Sequence, residues 1–276
     1  MAARPRHAFG KVSDMDSPVI VVTGGASGIG AACCEVLSAA GSRVIVADVN
    51  EAAGTAVADR VGGTFVPMDV GDADAVEAVA AAVEARFGPV AGLVTSAGVI
   101  QPVVRPEELG LDLWDRIVHI DQRGTYVTCL AFGRRMAARG TGGAIVNIAS
   151  VAGSRSMPLH AYAPAKAAVI SMTTCLAAAW GRDGVRVNSV SPGYTATPGL
   201  QVEVDAGRRD VSRLAGNAPL GRLVQPDEIG HAVAFLLSPA ASAITGIDLP
   251  VDCGWLAGST WATYGGLPSP DQARAK

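Results

Sequence analysis

Short runs of β-branched and apolar residues alternate with helical stretches along nearly the whole chain. The first run, Pro18 to Thr23, is apolar throughout and ends at glycines, so it predicts a strand that is buried on both faces. Similar runs predict strands at 43–47, 64–68, 90–95, 143–149, 185–190 and 247–251. Helices are predicted from Gly30 to Ala40 and at 51–60, 72–87, 112–138, 161–180 and 226–237. This uninterrupted alternation predicts one doubly wound α/β domain with a parallel sheet.

Composition and charge limit the classes of partner. The chain has 276 residues, of which 49% are apolar and 17% charged, so it can bury a large core. A net charge of −3 gives no electrostatic reason to expect a nucleic acid or an anionic membrane as partner. Residues 1–17 carry basic residues without an apolar stretch, and we interpret them as a flexible N-terminal arm before a domain that spans 18–276.

The cysteines and histidines do not form a recognisable metal site. The five cysteines are odd in number, lie mostly in apolar segments and have no metal-ligand spacing, which favours free thiols in a reducing, cytoplasmic compartment. The histidines have no carboxylate or cysteine partners at ligand spacing, so we predict no catalytic metal. No apolar run approaches the length that is needed to span a bilayer.

A glycine-rich loop lies between the first strand and the first helix, in the order Thr23-Gly24-x-x-x-Gly28-x-Gly30. Glycines in this position let the backbone approach a pyrophosphate, which the helix N-terminus stabilises. Asp48 closes the next strand, where a carboxylate can accept hydrogen bonds from both ribose hydroxyls of NAD and repel the 2′-phosphate of NADP. The alternative is that Asp48 caps the helix that follows, together with Glu51.

Tyr162 and Lys166 are four residues apart on a predicted helix, so their side chains share one face. A neutral phenol is a poor base at pH 7, and a neighbouring cation favours its phenolate form. Ser150 ends the preceding strand, where its hydroxyl could hold a substrate oxygen against the phenol. Taken alone, the Tyr-x-x-x-Lys spacing is also compatible with an accident on a half-buried helix.

In order and spacing, these motifs together resemble those of the classical short-chain dehydrogenases/reductases, from about Pro18 to about Gly254. The resemblance implies a Rossmann-type sheet of seven strands, a nicotinamide cofactor, which Asp48 indicates to be NAD, and a homotetramer. It implies that Tyr162 is the general acid/base, that Ser150 orients the reacting oxygen, and that Lys166 binds the nicotinamide ribose and supports the phenolate. The cofactor-binding residues that it implies are Gly24, Ser27, Gly28, Ile29, Gly30, Asp48, Asp69, Val70, Ser96, Ala97, Gly98, Tyr162, Lys166, Pro192, Gly193 and Thr195.

Two positions depart from the family pattern. Ser96-Ala97-Gly98 replaces the usual Asn-Ala-Gly, and Asp121 stands where the family has the asparagine of its catalytic helix. That asparagine helps to hold a water that leads to the lysine. We therefore count Asp121 among the catalytic residues and expect it to act on Lys166 through a water, with an added negative charge.

The function predicted from these residues is interconversion of a secondary alcohol, polyol or sugar-like, and its ketone by an NAD-dependent oxidoreductase. The substrate would be a small molecule. A reductase of an oxoacyl or of a cyclic or aryl ketone remains an alternative, as does a catalytically silent nucleotide-sensing scaffold on the same fold. For most of the charges in 194–225 we predict a solvated surface, with a substrate lid as the alternative. For Trp255, Trp261 and Tyr264 we favour packing in the core or at a subunit interface over capping a pocket.

Overall fold

The computed structural model describes residues 17–268, and their strands form one seven-stranded sheet. Only Ser17 of the predicted N-terminal arm falls within this range, so the arm lies outside the described residues. The strands are β1 (Val19–Thr23), β2 (Arg43–Asp48), β3 (Thr64–Pro67), β4 (Val90–Thr95), β5 (Gly143–Ile148), β6 (Val185–Pro192) and β7 (Asp248–Val251).

The sheet is parallel throughout, in the order β3-β2-β1-β4-β5-β6-β7. The strand order reverses between β1 and β4, and in sheets of this kind a ligand crevice opens at the carboxyl ends of the strands beside that point. The prediction of a single Rossmann-type domain with a seven-stranded parallel sheet is confirmed.

Helices connect the strands and cover both faces of the sheet. Their bounds are α1 (Gly28–Ala39), α2 (Glu51–Val61), α3 (Ala73–Phe87), α4 (Leu111–Ile117), α5 (Thr125–Arg139), α6 (Tyr162–Trp180), α7 (Pro198–Asp205), α8 (Val211–Gly216), α9 (Pro226–Leu237) and α10 (Trp255–Gly258). Two apolar cores result, one on each face. Phe132 and Met136 of α5 fill the first, whereas Leu37 of α1 and Leu236 of α9 fill the second.

The sequence predicts one helix over 112–138, and the structure divides this stretch. A π-helical segment, Val118–Gly124, lies between α4 and α5 and carries Asp121. A π-turn adds a residue to the helical turn, which the apolar periodicity on either side does not reveal, and such turns are frequent at functional sites. The helix prediction is therefore wrong over these seven residues, which are the ones that position Asp121.

The segment 194–225 contains two short helices, α7 and α8, which its weak periodicity did not predict. Its charges pair with one another at the surface: Arg208 lies 2.8 Å from Glu203, and Arg213 lies 3.6 Å from Asp210. These contacts agree with the prediction of a solvated charged surface for most of the segment. The rings of Trp255 and Tyr194 pack edge to face, with their centroids 5.7 Å apart, which fits a packing role for Trp255.

Three of the five cysteines, Cys33, Cys34 and Cys129, are buried, while Cys253 is half-buried and Cys175 is exposed. Burial raises the pKa of the Cys33 and Cys129 thiols to about 12. Among residues 17–268, no group of His, Cys, Asp or Glu side chains is arranged to hold a metal ion. No helix in the same range is both long and apolar enough to cross a bilayer.

Candidate active site

The glycine-rich loop joins β1 to α1 and packs against the end of β4. Gly24 has a φ of +64°, and a Cβ on this residue would lie 2.6 Å from the Ala97 amide nitrogen. A Cβ on Gly30 would lie 2.1 Å from the Gly24 carbonyl oxygen. Only glycine fits at either position, because the backbone itself occupies the space of a side chain. The loop is therefore a shallow backbone cradle of the kind that a pyrophosphate can approach.

The N-terminus of α1 opens on this cradle. Ser27 is the N-cap residue in an extended conformation, and its side chain makes no capping bond within residues 17–268. Gly28, Ile29 and Gly30 form the first turn, whose amide groups have no acceptor inside the helix. Thr197 lies nearby, with its methyl carbon 3.6 Å from the position of a Cβ on Gly28. These groups fit an anionic diphosphate.

Asp48 ends β2 and reaches the loop directly. Its Oδ2 accepts a hydrogen bond from the Ala26 amide at 3.0 Å, and its Oδ1 accepts one from the Asn50 amide at 2.9 Å. The N-cap of α2 is Asn50, whose side chain accepts from the Ala53 amide at 3.1 Å. The alternative interpretation of Asp48 as that cap is therefore wrong. Each carboxylate oxygen retains a further lone pair for a ribose hydroxyl.

The ends of β1, β4 and the loop after β3 supply the next wall of the crevice. The Thr23 hydroxyl accepts hydrogen bonds from the Ser96 and Ala97 amides at 3.2 and 3.4 Å, which holds the Ser96-Ala97-Gly98 segment against β1. Asp69 accepts from the Gly71 amide at 2.8 Å, and Val70 is buried. Asp69 and Val70 are the residues predicted to meet the adenine, and Ser96, Ala97 and Gly98 are predicted cofactor contacts.

Pro192, Gly193 and Thr195 lie at the end of β6, on the same edge of the sheet. The Gly193 amide donates to the Val251 carbonyl at 2.9 Å, and the Thr195 hydroxyl donates to the Gly193 carbonyl at 2.9 Å. The turn is thus fixed between β6 and β7 before the chain enters α7. Its place at the carboxyl ends of the strands fits the predicted contact with the carboxamide side of the cofactor.

Tyr162 and Lys166 occupy the first two turns of α6, as their spacing predicts. The Lys166 ammonium lies 5.4 Å from the centroid of the Tyr162 ring and donates a hydrogen bond to the Ile148 carbonyl at 3.1 Å. Ile148 ends β5, two residues before Ser150. The buried lysine thereby joins the tyrosine helix to the strand that delivers the serine.

Ser150 follows β5 and begins a short three-ten turn, Val151–Gly153. Its Oγ accepts a hydrogen bond from the Ala152 amide at 3.1 Å, so the hydroxyl proton remains available for donation. A Cβ on Gly153 would lie 2.9 Å from the Ala167 amide nitrogen, which shows how closely this turn packs on α6. The structure thus brings the turn of Ser150 against the helix of Tyr162 and Lys166.

Asp121 is completely buried and contacts Lys166 directly. Its Oδ2 lies 3.4 Å from the Lys166 Nζ, and its Oδ1 accepts a hydrogen bond from the Val99 amide at 2.8 Å. A Cβ on Gly98 would lie 2.9 Å from Oδ2, so this glycine makes room for the carboxylate. The water-mediated arrangement that we expected is therefore wrong, because the ion pair leaves no space for a water between the two groups.

Burial and charge act in opposite directions on this pair. Burial raises the pKa of the Asp121 carboxyl, and the neighbouring Lys166 offsets part of that rise. For Lys166, burial alone would lower the pKa, but the charges of Tyr162 and Asp121 outweigh it and raise the pKa above its usual range. Lys166 is thus held as a cation beside the tyrosine at neutral pH.

Two residues of the site were not predicted from the sequence. Thr197 approaches the glycine loop, and Gln101 contacts the start of α6. Neither belongs to a motif, because both act through contacts between elements that are distant in the chain. The only sequence signal for Gln101 is its position three residues after Gly98.

Comparisons with known proteins identify the family to which the chain is similar. A family profile described as Enoyl-(Acyl carrier protein) reductase matches residues 24–256. D-threitol dehydrogenase of Mycolicibacterium smegmatis is 42% identical, with 87% of this chain and 94% of that protein covered. The 2,5-dichloro-2,5-cyclohexadiene-1,4-diol dehydrogenase of Sphingobium indicum is 39% identical, with 89% of this chain and 100% of that protein covered.

Solved structures are similar over the same range. A crystal structure described as ribose-5-phosphate isomerase from Brucella melitensis is 52% identical, with a TM-score of 0.90 and coverage of 92% of this chain and 98% of that one. Actinorhodin polyketide ketoreductase with NADPH is 32% identical, with a TM-score of 0.81 and coverage of 87% and 98%.

A Rossmann-type sheet with a glycine cradle at its switch point and a tyrosine–lysine pair beside it defines a nicotinamide-dependent oxidoreductase. The chain belongs to the short-chain dehydrogenase/reductase family.

Proposed function

We propose that this protein is an NAD-dependent dehydrogenase that interconverts a secondary alcohol, polyol or sugar-like, and its ketone. The observation that carries the proposal is the position of the buried Lys166 ammonium. It lies 5.4 Å from the centroid of the Tyr162 ring and is held by the Ile148 carbonyl and Asp121. A fixed cation beside a phenol supports the phenolate that general base catalysis requires. NAD supplies the hydride acceptor.

In alcohol oxidation, Tyr162 takes the hydroxyl proton of the substrate, and Ser150 donates a hydrogen bond to the same oxygen. Lys166 places a positive charge beside the phenol and is available to the nicotinamide ribose. Gly24, Ser27, Gly28, Ile29 and Gly30 would hold the pyrophosphate. The ribose would bind to Asp48, and the remaining wall would be Asp69, Val70, Ser96, Ala97, Gly98, Pro192, Gly193 and Thr195.

The choice of a polyol or diol rests on the relatives. D-threitol dehydrogenase and the dichlorocyclohexadienediol dehydrogenase both act, by their names, on compounds with more than one hydroxyl group. The similar Brucella structure is described as an isomerase, and an isomerase would not reduce added NAD. We further propose a cytoplasmic homotetramer, as the family resemblance and the free cysteines suggest.

The test is a spectrophotometric screen of the purified protein with NAD or NADP and a panel of secondary alcohols, tetritols, hexitols and cyclic diols. We expect NADH absorbance to rise with at least one polyol or diol. Ribose 5-phosphate in a parallel assay for ribulose 5-phosphate tests the isomerase alternative. Isomerisation without any NADH or NADPH formation would contradict the proposal, as would binding of NAD with no turnover of any alcohol or ketone.

Asp121 provides a prediction about pH. An ionised carboxylate beside Lys166 offsets part of the charge that supports the phenolate, so alcohol oxidation should require a higher pH than it would with a neutral residue. Asp121→Asn should retain activity and move the acidic limb of the kcat profile downward by about one pH unit. A shift of one pH unit corresponds to about 1.4 kcal/mol of differential interaction between the two protonation states of the base.

Asp121→Ala should lower kcat more than Asp121→Asn does, because it also removes the acceptor of the Val99 amide. The measurement is kcat for alcohol oxidation against pH for the parent and both variants. Asp115→Asn, an exposed carboxylate on α4, is the matched control and should leave the profile in place. Superimposable profiles for the parent and both Asp121 variants would show that Asp121 does not act on the tyrosine–lysine pair.

A further inference from the structure

Gln101 is a buried polar residue that the predicted site does not include. It follows β4 in the loop that contains Val99, and only 1% of its surface is exposed. Its Oε1 accepts hydrogen bonds from two successive backbone amides, those of Ala161 at 2.7 Å and Tyr162 at 3.3 Å. One side chain from another part of the chain thus holds the first residue of the helix that carries the tyrosine.

Among residues 17–268, no side chain other than Gln101 accepts a hydrogen bond from the amides at the start of α6. The N-cap residue is Ala161, whose methyl group cannot accept a hydrogen bond. The Ala163 amide donates to the Leu159 carbonyl at 2.8 Å, the Ala165 amide donates to the Ala161 carbonyl at 3.1 Å, and Pro164 has no amide hydrogen. The amides of Ala161 and Tyr162 therefore depend on Gln101 within the described residues.

The side-chain nitrogen of Gln101 indicates which atom of this residue matters. Its Nε2 is buried and has no hydrogen-bond partner among residues 17–268. A buried donor without an acceptor is unfavourable, so an apolar side chain would be the better choice if this position only filled space. The contribution of Gln101 to this site is its Oε1.

The loop that contains Gln101 also acts on Lys166, the partner of Tyr162, through Asp121. Val99, two residues earlier, donates its amide to Asp121, and Asp121 contacts Lys166. A single short segment therefore fixes the start of the tyrosine helix with one residue and the counter-ion of the lysine with another. Because the Ile148 carbonyl and Asp121 hold Lys166 independently of Gln101, loss of the Gln101 contact would let the first residue of α6, Tyr162, move relative to Lys166.

We propose that Gln101 is a positioning residue for Tyr162: by capping the first turn of α6 it sets where the phenol stands relative to Lys166 and Ser150. The proposal rests on the role that we propose for Tyr162 as general acid/base. A displacement of about 1 Å in such a group can cost roughly 100-fold in rate. The glycine cradle for the pyrophosphate lies between β1 and α1, away from Gln101, so the Kd for NAD should change little when Gln101 is replaced.

The test compares Gln101→Met, which removes the acceptor, with Gln101→Glu, which keeps it. We expect Gln101→Met to lower kcat by about 10- to 100-fold with the Kd for NAD within about 2-fold of the parent. Gln101→Glu should restore kcat at high pH to within about 3-fold, with the acidic limb moved upward by the added charge near the phenol. Gln101→Asn, which is one methylene too short, replaces Gln101→Met if that variant does not fold.

Two further measurements separate positioning from stability and from the proposed function. Gln225→Met makes the same substitution at the N-cap position of α9, a helix without predicted site residues, and should leave kcat unchanged. Hydrogen exchange of the Ala161 and Tyr162 amides needs no substrate: protection should fall in Gln101→Met and persist in Gln101→Glu. A folded Gln101→Met variant with parental kcat, or equal losses in Met and Glu variants, would overturn the proposal. Inactivity of the parent with every alcohol would instead overturn the proposed function.

Discussion

Replacing Tyr162 with phenylalanine should lower kcat for alcohol oxidation by about 10²–10⁴-fold, the usual range for loss of a general acid or base. The substitution removes the transferable proton and retains the ring. The contact between the Lys166 ammonium and that ring, at 5.4 Å, can therefore persist, and so can the ion pair between Lys166 and Asp121. We expect the midpoint of thermal unfolding and the Kd for NAD to change little.

The measurement is kcat at saturating NAD and alcohol, together with NAD binding by protein fluorescence and a thermal melt. Tyr126→Phe on the exposed face of α5 is the matched control, because it removes a phenol outside the crevice and should leave kcat at the parental value. A kcat of Tyr162→Phe within a few-fold of the parental value would show that Tyr162 is not the general acid/base. A large loss of NAD affinity would mean that Tyr162 binds the cofactor more than it transfers a proton.

The second large effect concerns the choice between NAD and NADP. Asp48 is fixed by the Ala26 and Asn50 amides and ends β2 beside the glycine cradle. Its carboxylate would accept hydrogen bonds from the ribose hydroxyls of NAD, each worth about 1.5–3 kcal/mol for a charged acceptor, and repel the 2′-phosphate of NADP. We expect kcat/KM to favour NAD by roughly 10²–10³-fold.

Asp48→Asn should reduce this preference by at least about 10-fold, mainly because binding of NADP improves when the like charge is removed. Equilibrium dissociation constants for both cofactors provide a readout that does not depend on the alcohol. Glu51→Gln makes the same change in charge three residues later, at the exposed start of α2, and should not alter the preference. Equal kcat/KM values for NAD and NADP in the parent would show that Asp48 does not select the cofactor.

Much of the fold was predictable because each strand is a compact apolar run. Val19–Thr23 and Val90–Thr95 are bounded by polar or glycine-containing segments, so their ends are marked in the sequence. The spacing of Tyr162 and Lys166 likewise fixes their shared face, since residues four apart lie on the same side of an α-helix. Features that depend on local periodicity or on a motif are therefore found where they were expected.

The features that were missed depend on tertiary contacts. Asp121 was identified from its place in a motif, but its direct contact with Lys166 follows from the π-segment and from the close approach of Gly98. Gln101 is far from Tyr162 in the chain, and no spacing rule connects them. The short helices α7 and α8 are set by their N-caps, Thr197 and Asp210, more than by an apolar stripe.

The order of the strands also determines how the chain must assemble during synthesis. β1 and β2 are neighbours in sequence and in the sheet. The glycine loop and Asp48 can therefore meet as soon as the first βαβ unit, β1-α1-β2, has formed. On its other side β1 pairs with β4, where Val19 lies opposite Val90. In each later pairing of the sheet, at least one helix separates the two strands in sequence. Such long-range parallel pairings make folding slow, because the chain loses the entropy of loop closure before it gains the stabilising contacts between the strands. We expect the half that contains β1 to β4 and the glycine loop to be structured on the ribosome before β5 and α6, which carry Ser150 and Tyr162 into the site, have been synthesised.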